Sequence, residues 1–345
     1  MFEDPTNWLI IGGLGIGALF GFFVRQSGLC LVGAVSNISL IRDYRYMLGF
    51  AAAALFAITS SQLLELYEIV DLSESSYRND SIDWVGVVFG GMLFGIGATL
   101  AGGDAAKVVA LAAKGSSNAW IALLFFALLG AVAQYYGFLN DLRIWSLQNN
   151  SYHLTGTNLD AGLAPLFSVP KWVVLVAVDI LLIGFILRFW KQHGDVQLVV
   201  SGAILGLTVA MAWYVTGVLS VDEFAEPRAP SAMTVSGPMI RFGNLLVSGD
   251  IPAFSFSISF VIGFFAISLL LSLITKQFKF TKVEGSVGRI ALGGSLMGIG
   301  GTFGYGCNIG QGYSGLSTLS IESIIAVVAI LVGIHLTTKY LEKQT

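Results

Sequence analysis

Gly90–Asp104 reads GGMLFGIGATLAGGD, and Gly293–Cys307 reads GGSLMGIGGTFGYGC. Eight of the fifteen paired positions are identical: the glycines at 90/293, 91/294, 95/298, 97/300 and 103/306, with Leu93/Leu296, Ile96/Ile299 and Thr99/Thr302. Both copies lie in strongly apolar surroundings, and their glycine density reads as helix-incompatible. In a bilayer, unwound backbone is tolerated only where protein buries it or a cavity hydrates it. Paired interruptions in two halves of a membrane protein are the best sequence-level pointer to a transport site. The copies end on different residues, Asp104 and Cys307.

The rest of the composition agrees with a bilayer. Of 345 residues, 55% are apolar and 11% charged, and the mean hydropathy is +0.79. Soluble domains carry about a quarter charged residues, so a water-soluble globule is excluded. A net charge of −3 is nearly balanced and gives no sign of nucleic-acid binding. Cys30 and Cys307 sit in or beside apolar segments, outside any metal-ligand spacing, and read as free thiols. The three histidines make no zinc motif, so neither metal nor cofactor is expected. Glu3 and Asp4 follow Met1 in place of a basic region, so the first apolar segment does not read as a cleavable signal peptide.

Nine apolar runs have the roughly 17–25 residues that a bilayer demands: about 8–25, 46–67, 84–100, 117–137, 171–190, 196–219, 251–275, 287–304 and 320–341. The fold class is therefore an all-α integral membrane protein forming one transport domain over 1–345. Lys and Arg fall thirteen on one face and five, including Arg228, on the other. The positive-inside rule then makes the first face cytoplasmic, with the N-terminus outside and the C-terminus inside. The acidic loop carrying Glu65, Glu68, Asp71, Glu74, Asp80 and Asp83 lands outside. Residues 8–137 and 196–341 form two halves, and the linking helix at 171–190 inverts the second. Short segments starting near Cys30 and Asp104 enter from inside. Those around Pro230–Leu246 and Cys307 enter from outside. Four part-way elements converging from two directions are an inverted-repeat transporter layout.

Chemistry concentrates at the ends of the repeat. Cys307 lies in GYGCNIGQG, where Gly306 and its neighbours let the backbone approach a ligand closely. A short helix starting near Asn308 would aim N–H groups at an anion beside the thiol. The alternative is a cysteine acting as a small apolar residue in tight packing, which is also open for Cys30. Asp104 follows Gly103, and a carboxylate at membrane depth is a functional candidate by default. It can pair with Lys107 at i, i+3, and Asp is equally a common helix N-cap. Asp179 reads as facing a packing partner, and Thr99 and Thr302 as bonding backbone near the breaks.

At these residues the chain resembles the YeeE/YedE family of membrane proteins, whose studied members take up thiosulfate. The pieces that carry the resemblance are SGLCLVGAVSN at 27–37, GIGATLAGGD at 95–104, PSAMTVSGP at 230–238 and GIGGTFGYGCNIGQG at 298–312. The resemblance implies an hourglass of two pseudo-symmetric halves, with cysteines at the constriction handing an anion inward through S–H contacts. The outer family cysteine falls on Cys307 and the innermost on Cys30. The middle one falls on Asp104, where this chain departs from the pattern. A thiol donates a weak hydrogen bond to an anion, whereas an ionised carboxylate repels it by about 4 kcal/mol at about 4 Å and an effective dielectric near 20. Protonation of Asp104, neutralisation by Lys107, or a different cargo would each resolve the conflict.

The expected function is uptake of a small sulfur-containing inorganic anion, thiosulfate first, without enzymatic chemistry. A cytoplasmic sulfur-carrier protein is a candidate recipient. One rival reading is a transporter of another small solute with Asp104 titrating. Another is a membrane sulfurtransferase or redox protein in which Cys307 or Cys30 takes sulfur covalently.

Overall fold

The computed structural model describes residues 5–78, 81–153, 170–221 and 229–344. Glu3, Asp4, Asp80 and Arg228 lie outside the described residues. Each of the nine apolar runs contains a helix, that at 251–275 beginning only at Phe256. In chain order the helices are α1 (Pro5–Ser27), α2 (Leu31–Ile41), α3 (Arg45–Leu66), α4 (Trp84–Ala101), α5 (Ala105–Ala112), α6 (Ser117–Tyr135) and α7 (Gly137–Asn150). After them come α8 (Lys171–His193), α9 (Val196–Tyr214), α10 (Ser236–Ser248), α11 (Phe256–Ile274), α12 (Val287–Phe303) and α13 (Ile321–Glu342). A short pair of strands, Ser81–Asp83 and Ser151–His153, closes antiparallel beside α7. Eight segments are long and apolar enough to cross a membrane by length and composition. The run at 287–304 forms α12, which is 17 residues long. The protein is an all-α membrane protein.

Boundary residues explain themselves locally. Asp83, Asp104, Ser116, Asp195, Ser255, Ser286 and Ser320 each accept a backbone N–H of the first turn that follows. Such caps replace bonds that the helix cannot make for itself. Trp84, Trp120, Trp172 and Trp190 stand exposed near helix ends, where indole rings favour the headgroup region. Helix α7 is a polar segment outside the apolar runs, and it buries Ser146 against Asp83 through a 2.9 Å hydrogen bond.

The expectation that the repeated glycines break helix is corrected by the structure. Both stretches run as continuous helix, and only their last residues unwind. The glycines serve contact instead. A Cβ on Gly97 would stand 2.6 Å from the Gly293 carbonyl oxygen, and one on Gly300 would stand 2.4 Å from the Phe94 nitrogen. A second set faces outward from this seam: Gly91 and Gly95 against α13, Gly294 and Gly298 against α6. Small residues let backbones approach where lipid offers no hydrophobic drive for helix association. Helix α4 therefore lies along α12, with α13 beside α4 and α6 beside α12. A parallel arrangement holds α1 on α11 and α9 on α3. Helix α8 packs on α3 and leaves Ile180, Leu181 and Leu187 exposed.

Candidate functional site

Two breaks, one after α4 and one after α12, build the site. The first opens at Gly102, which ends α4 with φ of 87°, a conformation that glycine adopts without strain. Gly103 follows, and a Cβ there would press on the Lys107 side chain at 2.9 Å. Asp104 then begins α5. Its Oδ1 accepts the backbone N–H of Lys107 at 2.9 Å, an ordinary N-cap. Its Oδ2 accepts the backbone N–H of Leu31, the first residue of α2, at 2.5 Å. One carboxylate, 1% exposed, thus holds the start of two helices. Lys107 meets Asp104 through its backbone N–H, where the sequence suggested a pairing of side chains.

Cys30 is the N-cap residue of α2, with extended backbone and no capping bond from its side chain. It is buried. Capping of α2 has passed from its own N-cap residue to Asp104, 73 residues beyond the Leu31 N–H that it accepts.

The second break runs through Gly304, Tyr305 and Gly306, with Tyr305 at φ of 53°. Cys307 is fully buried. Its Sγ receives the backbone N–H of Gly310 at 3.5 Å and lies 4.0 Å from Thr234 Oγ1. Thr234 stands in the irregular segment before α10 and reaches Ser236 at 3.1 Å. Asn308 is 2% exposed, yet neither its amide oxygen nor its amide nitrogen has a hydrogen-bond partner. Leaving one buried polar group unpaired costs about 1–3 kcal/mol, so folding alone gives no reason for an amide here. Asn308 lines a cavity of about 270 Å³ together with Leu31, Phe50 and Phe185.

The helix expected from Asn308 forms as a π-helical turn over Gly310–Gly315. Such wide turns recur at functional sites. Gln311 locks this one by donating to the Gly304 carbonyl at 3.0 Å and accepting from Ser323 Oγ at 2.5 Å. Tyr313 packs its ring on Phe20 and Phe50 at 6.0 and 5.7 Å. The cavity lined by Asn308 thus also meets Leu31, whose backbone N–H the Asp104 carboxylate holds. Among the described residues, no cluster of three or more His, Cys, Asp or Glu could hold a metal ion.

Other residues singled out from sequence have structural partners. Thr99 bonds the Gly95 carbonyl at 2.9 Å, and Thr302 bonds those of Gly298 and Gly130 at 2.9 and 3.2 Å. Asp179 accepts from Thr59 of α3 at 3.0 Å. Sequence reasoning passed over Thr234, Gln311 and Tyr313. The only available signal was their place inside the Gly-rich motifs at 230–238 and 298–312.

Comparison with known proteins identifies similar sequences. A family model described as "Sulphur transport" matches residues 26–336. A thiosulfate transporter, TsuA, of Escherichia coli strain K12 is 25% identical over 341 residues, covering 94% of this chain and 93% of that relative. A thiosulfate transporter of the same name from Spirochaeta thermophila is 24% identical over 339 residues, covering 94% and 97%.

Proposed function

The chain belongs to the sulphur-transport family of membrane proteins, and on that premise we propose that it imports a small sulfur-containing anion, thiosulfate first, past Cys307, Asn308, Asp104 and Cys30. The observation that carries the reading is one shared cavity: the buried, unpartnered amide of Asn308, next to the Cys307 thiol in the chain, lines it together with Leu31, which follows Cys30 and whose backbone N–H is held by Asp104. The charge asymmetry of the loops supports an outward N-terminus and an inward C-terminus. The exchange-related pairings, α1 on α11 with α9 on α3 and α6 on α12 with α13 on α4, support two inverted halves joined by α8.

In this reading the anion enters from outside and meets the Cys307 thiol, the Thr234 hydroxyl and the free amide of Asn308. It then passes Tyr313 and leaves by Asp104 and Cys30. Gly103 and Gly306 keep the backbone close to its path, and Lys107 offsets negative charge there. Thiols suit this task because they are weak donors, and conduction needs sites that release as readily as they bind. A cytoplasmic sulfur-carrier protein would take the cargo on arrival.

The test is uptake of radiolabelled thiosulfate by bacteria lacking their own importers and expressing wild type, Cys307→Ala or Cys30→Ala. Uptake by wild type, with loss in Cys307→Ala, supports the reading. No uptake by a well-expressed wild type overturns it. A persulfide on either thiol after exposure, found by mass spectrometry, would replace passage with covalent sulfur transfer.

A further inference from the structure

We propose that Asp104 is the residue that sets which anion passes, because its carboxylate is a tethered occupant of an anion cradle made by the N-termini of α2 and α5. The inference rests on the reading of the protein as an anion transporter and concerns how it discriminates.

An N-cap aspartate needs one backbone partner, and Asp104 has that partner in Lys107. The bond to Leu31 goes further, since it ties the same carboxylate to a second helix whose own N-cap side chain makes no bond. Helix N-termini each carry roughly half a positive charge, so one carboxylate balances two of them. The equivalent position in the other copy of the repeat is Cys307, whose Sγ receives one backbone N–H, that of Gly310, and meets the Thr234 hydroxyl. One break is therefore filled by a fixed anion and the other is not. A second observation points to a ligand beside the filled one. The buried, unpartnered amide of Asn308 lines the cavity that Leu31 also lines.

A passing anion meets the Leu31 and Lys107 N–H groups already satisfied. To use them it must displace the carboxylate, which can turn toward the Lys107 ammonium on the same face of α5. A monoanion exchanges one charge for an equal one and gains nothing. A dianion such as thiosulfate brings more charge to the two helix ends and takes the cradle. Asp104 thereby rejects chloride and admits the dianion.

The experiment uses the purified full chain as wild type, Asp104→Gly and Asp104→Asn. Thermal melting is followed at constant ionic strength with formate, chloride, sulfate or thiosulfate. In Asp104→Gly, formate and chloride raise the melting temperature saturably, since each can replace the missing carboxylate. Wild type does not respond to them. In proteoliposomes, chloride competes with thiosulfate uptake in Asp104→Asn but not in wild type, and the preference falls roughly ten-fold, within what helix-terminus charge interactions support. A folded Asp104→Gly with no anion response beyond that of wild type overturns the cradle. Wild-type preference retained in Asp104→Asn reduces Asp104 to a cap, and this arm decides alone if Asp104→Gly fails to fold. Absence of thiosulfate uptake by wild type defeats the transport reading, while the formate response still reports on the cradle by itself.

Discussion

A Cβ on Gly90 would lie 2.1 Å from the backbone nitrogen of Gly304, so these two residues touch main chain to main chain across the α4–α12 contact. No side chain can move aside there. Gly90→Ala forces the helices apart and destabilises the protein by about 1–3 kcal/mol. Gly15 and Gly184, both helical with nothing within 4 Å of an added Cβ, are the controls. Alanine at either stabilises by about 0.5–1 kcal/mol. Thermal melting in detergent distinguishes the two classes, and equal losses at all three would refute the close seam.

Asn308→Leu should separate stability from function. The amide is buried without a partner, so replacing it with an apolar side chain of similar size removes a penalty of about 1–3 kcal/mol. The variant melts higher and loses thiosulfate uptake. A lower melting temperature would mean that the amide has a structural partner after all.

Arg78 ties the loop after α3 to Glu65 and to the Thr318 carbonyl. Its guanidinium forks onto Glu65, at 2.5 Å on one arm, and donates twice to the Thr318 carbonyl at 3.2 and 3.0 Å. Its side chain is almost fully buried, while that of Glu65 keeps some exposure. Arg78→Met costs about 3 kcal/mol, because Glu65 keeps only the more distant and exposed Lys171 ammonium at 3.9 Å. Arg78→Lys recovers little, because an ammonium lacks the fork. Full rescue by lysine, measured by melting, would reduce the contact to simple charge pairing.

Asp43, between α2 and α3, supplies a pH signature. The Arg45 side chain bonds its carboxylate at 2.9 Å and holds its pKa below the usual range against the opposing effect of burial. A depressed carboxylate contributes stability above its unfolded pKa of about 3.9, and that contribution is lost as pH falls through the folded value. Wild type therefore melts above Asp43→Asn at pH 5, and the gap closes in more acidic buffer. A gap that widens on acidification would contradict the sign.

Much of the fold was legible because hydropathy over about 20 residues is a local property. The segments at 46–67, 84–100 and 171–190 needed no tertiary knowledge. The repeated glycines misled for a physical reason. In water, glycine weakens helix, but in packed membrane helices the missing side chain becomes contact surface, as at Gly97 and Gly293. At the site, Cys307 and Asp104 stood out by type and place. The partner of Asp104 did not, since Leu31 N–H lies 73 residues away and every residue except proline has such a group. Tyr313 was hidden because its position depends on a π-helical turn that leaves no pattern in composition.

The α4–α12 contact also has a mechanical consequence. Backbones that meet at single atoms act as a keel: they resist shear and cannot exchange rotamers to absorb a displacement. Large sliding of the long helices would break many contacts together. The compliant parts are the short segments at 28–30, 102–104 and 304–309. Turnover then depends on light, local rotations around a stationary frame, and its speed should follow the stiffness of those few links more than the mass of either half.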